Sequence, residues 1–511
     1  MQGTLAPSLL AFLPQWMARQ RWYAGKGRLP SLSRIGGLRL EDPAAEVDID
    51  VHLLLDDSGD TPTTYQVPLT TRTARLPGAD HALVATFQPV DDSGAGPRYV
   101  YDAPHDPAFV SALLRLMLDE GTTTFDPGQS TGGGPGPDGG SGTDGGSGPD
   151  GGSGPGNGPG SGGGSDYGAD GHRLAKADPG QLVASRVLSG EQSNTSIIID
   201  LVDAHGNPSK PLICKLFRVL HHGQNPDVVV QAALSAAGST RVPCSVGYVS
   251  GRWPNTETPE GPAAGHLAFA QEFLPGVEDA WRVALAAVGS GTDFDDQARS
   301  LGQATAEVHA TLARAMGTRE PTEDDVTALT RSMRARHAAA VSEVPAMAAY
   351  DQMIRASIEA VSSARWPALQ RIHGDYHLAQ VLNAPGRGWV LVDFEGEPMR
   401  PLPERTQPDL ALRDVAGMLR SFDYVAGSWE QDHPGHSAAP WATRARVAFL
   451  EGYASLAGRD PREDAALLNA LELDKALYEV VYEARNRPTW LGIPTTAIAR
   501  LSTGPRSDPR S

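Results

Sequence analysis

Titratable residues are concentrated between residues 371 and 398, in the sequence RIHGDYHLAQVLNAPGRGWVLVDFEGEP. Asp375 precedes a short apolar run, Asp393 follows another, and APGRG at residues 384–388 separates the two runs. This pattern predicts a strand hairpin that brings both carboxylates to one mouth. Phosphoryl transfer from ATP needs a carboxylate that accepts the proton of the acceptor hydroxyl, and oxygen ligands that hold magnesium on the phosphates. The segment contains both kinds of group.

The spacing within the hairpin separates a candidate base from candidate metal ligands. Asp375 lies in an H-G-D loop, Gln380 follows five residues later with an amide oxygen that can ligate a metal, and Asp393 opens a D-F-E-G turn. Groups in this order form the catalytic and metal-binding layout of kinase-like folds. H-G-D alone is typical of a structural turn, so the prediction depends on the whole string. We interpret His373 as a residue that braces the loop.

A kinase also needs a loop that covers the phosphates and a lysine that binds them. SGEQSNTS (189–196) joins two predicted strands and could contact phosphates, although an ordinary hairpin turn has a similar composition. Lys215 lies in the apolar strand LICKLF, where its ammonium group would be costly to bury without an anionic partner. LAFAQEFLPG (267–276) occupies the position of a hinge whose backbone could bind adenine. The predicted nucleotide-binding residues are Ser193, Asn194, Thr195, Lys215, Gln271, Glu272, Phe273 and Leu274.

The composition restricts the class of protein. The chain has 511 residues, of which 40% are hydrophobic and 20% charged, a globular composition at a length that favours two or more domains. Its formal net charge of −18 argues against nucleic acid and anionic membrane as partners. Its two cysteines, Cys214 and Cys244, argue against a disulfide framework. With no basic leader and no apolar run of membrane length, we expect a cytoplasmic protein.

The distribution of residue types predicts four segments. Residues 127–173 are rich in Gly, Ser and Pro and are predicted to be a disordered insertion, because they bury too little area to offset the entropy of ordering. Short strands and one amphipathic helix predict an α+β cap domain at residues 1–126. Strands dominate residues 174–276, whereas residues 277–511 have helical periodicity that the hairpin interrupts. The predicted fold class is α+β, with a strand-rich N-lobe, a helical C-lobe and an N-terminal cap.

Several motifs occur in the order of a known family: QRWYAGKGR (20–28), GEQSNTS, QEFLPG, HGDYHLAQVL, DFEGEP, LRDVAGMLRSFDY and YEARNRPTWLGIP. Together they resemble the aminoglycoside-phosphotransferase-like kinases, and within them the actinobacterial maltokinase-like branch, which includes maltokinases and glucosamine kinases. The resemblance implies a protein-kinase-like bilobal fold with a cap, a five-stranded N-lobe and a helical C-lobe, and the use of ATP and Mg²⁺ to phosphorylate a sugar. It implies Asp375 as the catalytic base, Gln380 and Asp393 as the magnesium ligands, and Lys215 as the phosphate lysine.

The sequence departs from the family pattern at two places. Kinase-like folds usually pair the strand lysine with a glutamate on the following helix, whereas residues 225–234 offer Gln231 there. The partner of Lys215 is therefore unassigned at this point. The catalytic loop also reads HLAQ where a maltokinase is expected to read HLGQ, and this change lies beside the catalytic centre.

The C-terminal helical pattern predicts a sugar site. Glu479, Glu483, Asn486, Arg487 and Trp490 recur close to one face of a helix. An aromatic ring can lie against the C–H faces of a sugar while carboxylates and amides bind its hydroxyls. A core tryptophan with surface ion pairs would have the same pattern. The predicted substrate-binding residues are His377, Glu397, Glu479, Glu483, Asn486 and Trp490.

The sequence leaves the acceptor open between two sugars. Carboxylates at Glu397, Glu404, Asp409, Glu479 and Glu483 would favour a cationic sugar, and hence a glucosamine kinase that forms glucosamine 6-phosphate. The alternative is a maltokinase that forms maltose 1-phosphate, because the same acids could bind neutral hydroxyls. A hypothesis of another class is a non-catalytic nucleotide-binding pseudokinase, which the unassigned partner of Lys215 keeps open.

Overall fold

The computed structural model describes residues 7–88, 96–124, 167–188, 194–256, 261–398 and 400–502. Most of the predicted insertion, and the predicted phosphate contact Ser193, therefore lie outside the described residues. The described chain consists of a strand-rich N-terminal part and a helical C-terminal part, which confirms the predicted fold class.

The first strand-rich unit is the predicted cap. Its elements are α1 (Pro7–Met17), β1 (Leu32–Leu40), β2 (Asp48–Asp56), β3 (Thr63–Arg72), β4 (Leu83–Phe87), β5 (Arg98–Asp102), α2 (Pro107–Leu118) and β6 (Thr122–Thr124). Five of the strands form an antiparallel sheet in the order β1-β2-β3-β5-β4. α2 begins at Pro107, whose fixed φ suits the first helical position, and Asp106 caps it by accepting the N–H of Ala108 at 3.0 Å.

The N-lobe is built on a second antiparallel sheet. Its elements are β7 (Gly168–Arg173), β8 (Gln181–Val187), β9 (Asn194–Val202), β10 (Leu212–Phe217), β11 (Val219–Leu220), α3 (Pro226–Ala236), β12 (Ser245–Trp253), β13 (Ala263–Glu272) and β14 (Glu278–Asp279). The sheet has the order β6-β7-β12-β13-β10-β9-β8, seven strands where the resemblance implies five. The predicted end of the insertion at residue 173 is wrong, because β7 pairs with both β6 and β12.

Backbone pairing joins the cap to the N-lobe. β11 pairs with β3, so the cap sheet receives a strand from the N-lobe segment. The N–H of Gln66 donates to the carbonyl of Arg218 at 2.8 Å, and its side-chain amide donates to the carbonyls of Phe217 and Leu267, both at 3.0 Å. One apolar core contains side chains from both sheets and from α2. The two units therefore share hydrogen bonds and a core.

The C-lobe is helical and contains the predicted hairpin. Its elements are α4 (Ala280–Ser290), α5 (Asp295–Met316), β15 (Thr318–Arg319), α6 (Glu323–Glu343), α7 (Asp351–Ser363), β16 (Leu369–Gln370), β17 (Val381–Ala384), β18 (Gly388–Leu391), α8 (Leu402–Arg405), α9 (Leu412–Asp432), α10 (Ala439–Ala457), α11 (Ala465–Asn486) and α12 (Gly492–Ser502). β17 pairs with β18 as predicted, and β14 completes a small sheet with them. Among the described helices, none is long and apolar enough to cross a membrane.

The predicted continuous helix through Trp490 is wrong in one respect. α11 ends at Asn486, because Pro488 follows and cannot continue a helix. Pro488–Trp490 forms a separate 3₁₀ turn that carries Trp490.

Candidate active site

The H-G-D loop is fixed by the first turn of α9 and by the hairpin. The buried carboxylate of Asp414 accepts the N–H of His373 at 2.8 Å and the N–H of Gly374 at 2.9 Å. His373 Nε2 lies 3.0 Å from the carbonyl oxygen of Val392, beyond the end of β18. His373 therefore braces the loop from the side opposite Asp414, and Asp375 projects from a backbone held on both sides.

The hairpin brings the two predicted metal ligands together. Gln380 ends a short 3₁₀ turn directly before β17, and Asp393 follows β18. The Nε2 group of Gln380 donates to Oδ2 of Asp393 at 2.9 Å. Asp393 has φ of 68°, a left-handed conformation that is uncommon outside glycine and recurs at functional sites. Rotation of the Gln380 amide by half a turn would direct its oxygen to the same point, so the pair can share a metal.

A nucleotide-sized cavity of about 380 Å³ lies between the N-lobe sheet and the hairpin. Ile213 and Leu382 line it from the two lobes and provide apolar surfaces for the two faces of a nucleobase. Gln271 is 5% exposed, and its Oε1 has no hydrogen-bond partner in the described part of the chain. A nucleobase N–H group would satisfy this buried acceptor. The predicted residues that line the cavity are Asn194, Lys215, Gln271, Glu272, Phe273, Leu274, Gln380 and Asp393.

Lys215 has two carboxylate partners in this cavity. Its Nζ lies 2.8 Å from Oδ2 of Asp227 and 2.7 Å from Oδ1 of Asp393. Asp227 lies in the first turn of α3, one turn before Gln231, where kinase-like folds would have a glutamate. Asp227 is thus the helix carboxylate that pairs with Lys215. Gln231 instead donates its amide to Asp227. Burial opposes the ammonium charge, but the two carboxylates raise the pKa of Lys215 well above its ordinary value, so the side chain stays protonated.

Negative charge exceeds positive charge around Lys215. Carboxylate oxygens of Asp227, Asp393 and Glu395 lie within 4.8 Å of one another. Burial raises the pKa of Glu395 to about 7, although Lys215 partly opposes this effect. Asn194 donates its side-chain amide to Glu395 at 2.9 Å, which connects the start of β9 to the D-F-E-G turn. A set of hard oxygen donors with excess negative charge fits a divalent cation such as Mg²⁺.

Thr195, a predicted phosphate contact, is used inside the protein. Its hydroxyl accepts a hydrogen bond from Nε of Arg218 at 2.8 Å, is buried, and lies outside the nucleotide cavity. Arg218 is fully buried, donates to both carboxylate oxygens of Asp102 at 2.8 Å, and lies 4.6 Å from the ring of Trp22 in the cap. The assignment of the Thr195 hydroxyl to phosphate is therefore wrong, and this residue anchors the strand to the cap.

The hinge offers fewer free backbone groups than we expected. The N–H groups of Glu272 and Phe273 donate to the carbonyls of Cys244 and Pro211, both at 2.8 Å. The carboxylate of Glu272 pairs with Lys210 and Arg387. Leu274 is thus the residue of this stretch whose N–H has no recorded hydrogen bond within the described chain. It is the backbone donor that an adenine ring could use.

A second cavity, of about 420 Å³, has Asp375 in its lining. Asp375 and His377 line it from the catalytic loop, while Tyr424 of α9 and Trp490 form an aromatic wall with ring centroids 6.3 Å apart. Burial lowers the pKa of His377, which keeps the ring neutral at pH 7. An aromatic wall, a neutral imidazole and a carboxylate suit the C–H and hydroxyl groups of a sugar. We call this space the acceptor cavity.

Two buried carboxylates of α11 also line the acceptor cavity. Glu479 accepts two hydrogen bonds from Arg420, at 2.9 and 2.7 Å, and both fall on its Oε2. Burial raises the pKa of Glu479 although Arg420 opposes it. Glu483 is 1% exposed and accepts from Tyr424 at 3.1 Å and from Arg487 at 2.6 Å. Both predicted carboxylates are therefore in the cavity, each with an arginine partner.

Other predicted substrate residues lie outside this cavity. Asn486 is exposed at the last residue of α11, where its side-chain amide donates to the Tyr482 carbonyl at 2.8 Å. Glu397 is 4% exposed and pairs with Lys475 and Arg336. These two residues do not line the acceptor cavity, and their direct contact with a sugar stays a prediction. Glu404 and Asp409 pair with arginines elsewhere and do not line the cavity.

Two residues of the site, Asp227 and Lys475, were not predicted from the sequence. Asp227 follows the helix-start pattern Asn-Pro, and a first-turn acid there is a known signal that could have identified it. Lys475 lies one turn before Glu479 on the same face of α11. The predicted sugar-binding face began at Glu479 and therefore did not include Lys475. Its Nζ lies 3.0 Å from Oδ1 of Asp375.

Known proteins resemble the chain in both of its parts. Residues 16–106 match the maltokinase N-terminal cap domain, and residues 221–468 match the phosphotransferase enzyme family. A glucosamine kinase of Mycolicibacterium smegmatis is 30% identical over 339 residues, which cover 62% of this chain and 79% of the relative. The chain belongs to the maltokinase-like branch of the aminoglycoside-phosphotransferase-like kinases. This confirms the family that the motifs indicate, and with it a phosphotransferase.

Further relatives agree with this membership. A glucosamine kinase of Streptacidiphilus jiangxiensis is 29% identical over 347 residues, which cover 63% of this chain and 74% of that protein. A solved glucosamine kinase in complex with glucosamine, ADP and inorganic phosphate covers 96% of this chain and 98% of its own, with a TM-score of 0.61 and 21% identity. A second crystal form has a TM-score of 0.63 at the same identity. At this identity the likeness establishes the fold, including the cap.

Proposed function

We propose that the protein is an ATP- and magnesium-dependent glucosamine kinase that converts D-glucosamine to glucosamine 6-phosphate. The observation that carries the proposal is the acceptor cavity, where the candidate base Asp375 shares a lining with two buried carboxylates, Glu479 and Glu483. Relatives that align over most of their length are named glucosamine kinases, which supports this acceptor. Because ATP is the donor, we propose the cytoplasm as the location of the reaction.

In the proposed reaction ATP occupies the nucleotide cavity, and the sugar occupies the acceptor cavity beside Asp375. The 6-hydroxyl oxygen attacks the γ-phosphorus, its proton passes to Asp375, and the bond between the γ-phosphorus and the bridging oxygen breaks to release ADP. Lys215 binds phosphate oxygens on the nucleotide side. Bound magnesium supplies positive charge to the β- and γ-phosphates, and Asp393 and Gln380 are the residues that would hold it.

Glu479 is the residue proposed to bind the amino group of glucosamine. Among the described residues, Arg420 donates only to Oε2 of Glu479, and Oε1 receives no recorded hydrogen bond. An ammonium group in the cavity would donate to this oxygen, and a hydrogen bond to a buried charged group is stronger than one between neutral groups. Tyr424 and Trp490 provide the flat surface for the ring.

Maltose is the second candidate acceptor, because residues 16–106 match the maltokinase cap. The cap nevertheless contributes no described residue to the lining of the acceptor cavity, so its match bears little on the identity of the acceptor.

A non-catalytic pseudokinase is the third candidate function. The base, the two metal-ligand candidates and a paired strand lysine all occur together, which argues against it.

A coupled assay of ADP formation with magnesium tests the proposal across glucosamine, glucose, N-acetylglucosamine, maltose and an aminoglycoside. We expect kcat/KM to be highest for glucosamine and lower for glucose, which lacks the ammonium group. Highest kcat/KM for maltose would make the protein a maltokinase and would contradict the proposed role of Glu479. No turnover with any acceptor, together with ADP binding, would support the pseudokinase.

A further inference from the structure

Lys475 donates a hydrogen bond to the side chain of the candidate base and has no part in the reaction as described so far. Its Nζ lies 3.0 Å from Oδ1 of Asp375 and 2.8 Å from Oε1 of Glu397. The ammonium group also lies 4.9 Å from the ring centroid of Tyr478. Lys475 lines the acceptor cavity with its side chain 20% exposed, so it is neither a surface lysine nor one sealed in the core.

The two oxygens of Asp375 have different environments. Oδ1 accepts the hydrogen bond from Lys475. Oδ2 has no recorded hydrogen bond within the described chain, and Nε2 of His377 lies 4.0 Å from it, beyond hydrogen-bond distance. One oxygen is thus held by a cation, while the other keeps its hydrogen-bonding capacity for a hydroxyl group in the cavity that Asp375 lines.

Lys475 is itself held by a chain of buried charges. Glu397 accepts from Lys475 with one oxygen and from Arg336 with the other, at 3.1 Å. Arg336 also lies 2.9 Å from Asp474, the residue that precedes Lys475 on α11. Burial opposes these charges, but Asp375 and Glu397 raise the pKa of Lys475, which keeps it protonated. The ammonium group therefore has a fixed position and a fixed charge.

We propose that Lys475 is a positioning residue for phosphoryl transfer, which holds Oδ1 of Asp375 so that Oδ2 is the atom that receives the proton of the acceptor hydroxyl. In this step the hydroxyl O–H bond breaks as the oxygen bonds to the γ-phosphorus, the proton moves to Oδ2, and the electron pair of the broken phosphorus–oxygen bond leaves with ADP. Lys475 keeps its own proton throughout. The inference rests on the proposed function, because it concerns the base of that reaction.

The experiment compares Lys475→Met, Lys475→Arg and Arg485→Met in the full chain. Lys475→Met removes the ammonium group and keeps the length of the side chain. We expect kcat with glucosamine to fall about 100-fold or more, in the range of general-base effects, while KM for ATP changes less than about threefold. Lys475→Arg keeps a cationic donor and is expected to recover at least about tenfold of the lost kcat. Arg485, on the same helix, pairs with Glu343 at the surface, and its variant is expected to keep the kcat of the unmodified chain.

Each other outcome contradicts the inference. An unchanged kcat in Lys475→Met overturns it, and so does an increase in KM for glucosamine alone, which would make Lys475 a sugar ligand. Equal losses in kcat for Lys475→Met and Lys475→Arg would indicate a packing defect instead of positioning. If Lys475→Met does not fold, Lys475→Gln carries the test with the same expected loss. An unmodified chain that phosphorylates no sugar overturns the proposed function as well, whereas an active chain with an active Lys475→Met variant overturns only the role of Lys475.

Discussion

The nucleotide cavity and the acceptor cavity use the same device in different ways. Each contains a lysine between two carboxylates: Lys215 between Asp227 and Asp393, and Lys475 between Asp375 and Glu397. On the nucleotide side one lysine faces three carboxylates, counting Glu395, and the excess negative charge suits a metal. On the acceptor side each carboxylate has its own cation.

This difference indicates what each cavity selects. The nucleotide side is arranged for a ligand that brings positive charge with its phosphates. In the acceptor cavity the charges are almost balanced, so selection there depends on single atoms that remain open, such as Oδ2 of Asp375 and Oε1 of Glu479. Substitutions should therefore act on the chemical step, on ATP or on the sugar separately, according to the cavity they change.

The largest effect is expected at the candidate base, Asp375. Asp375→Asn removes the proton acceptor, and kcat should fall by about 10³-fold or more, while ADP binding measured by calorimetry stays within about twofold. Full activity in this variant would refute the role of Asp375. Loss of both activity and ADP binding would mean that the cavities are not separable.

The next effect is expected on the nucleotide side alone. Lys215→Met removes the phosphate lysine and leaves Asp227 and Asp393 without their cation, so kcat/KM for ATP should fall by about 100-fold. Glucosamine binding, measured without nucleotide, should not change. Asp227→Asn should reproduce part of the loss, because Asp227 holds Lys215. If Asp227→Asn is fully active, Asp227 is not the substitute for the usual helix glutamate.

A smaller effect is expected on selectivity. Glu479→Gln should lower the preference for glucosamine over glucose by about 10- to 100-fold, the value of a hydrogen bond to a charged group. The kcat/KM for glucose in the same variant serves as the internal control and should change little. An equal loss for both sugars would show that Glu479 maintains the helix packing with Arg420 and does not read the amino group.

The smallest effect concerns stability at acid pH. Burial alone would raise the pKa of Glu397, but Lys475 and Arg336 hold this pKa at about 2. A carboxyl group with a depressed pKa in the folded state contributes stability above its ordinary pKa and loses it as the pH falls through the folded value. At about 1.4 kcal/mol per unit, the contribution is about 3 kcal/mol at neutral pH. Denaturant unfolding between pH 5 and pH 2 should record this loss, and in Lys475→Met the decline should start at higher pH.

The sequence was most informative where function depends on local spacing. The H-G-D loop, Gln380 and Asp393 lie within one hairpin, so their order along the chain was enough to predict that they meet. Glu479 and Glu483 were recognised because a helix repeats its faces. The segment that carries Thr195 could not be assigned in this way, since its partner Arg218 and the cap residues that hold it come from distant parts of the chain.

The errors follow from tertiary pairing. Glu397 reads as a free carboxylate in the DFEGEP motif, yet Arg336 of α6 and Lys475 of α11 neutralise it. The backbone from Glu272 to Leu274 was predicted to bind adenine, yet Cys244 and Pro211 already accept the N–H groups of Glu272 and Phe273. Sequence patterns identify which polar groups a segment offers, but they do not reveal which groups other segments have already bound.

The pairing of β3 with β11 has a consequence for biosynthesis. The cap strands from Leu32 to Asp102 leave the ribosome well before Val219 and Leu220, which pair with β3 inside their sheet. Until then the hydrogen-bonding groups of β3 that later meet β11 have no strand to pair with, and the apolar face shared with the N-lobe is uncovered. The cap therefore reaches its final form only when the N-lobe does. Its folding cannot be completed before the ribosome has synthesised residues on the C-terminal side of the Gly-rich segment.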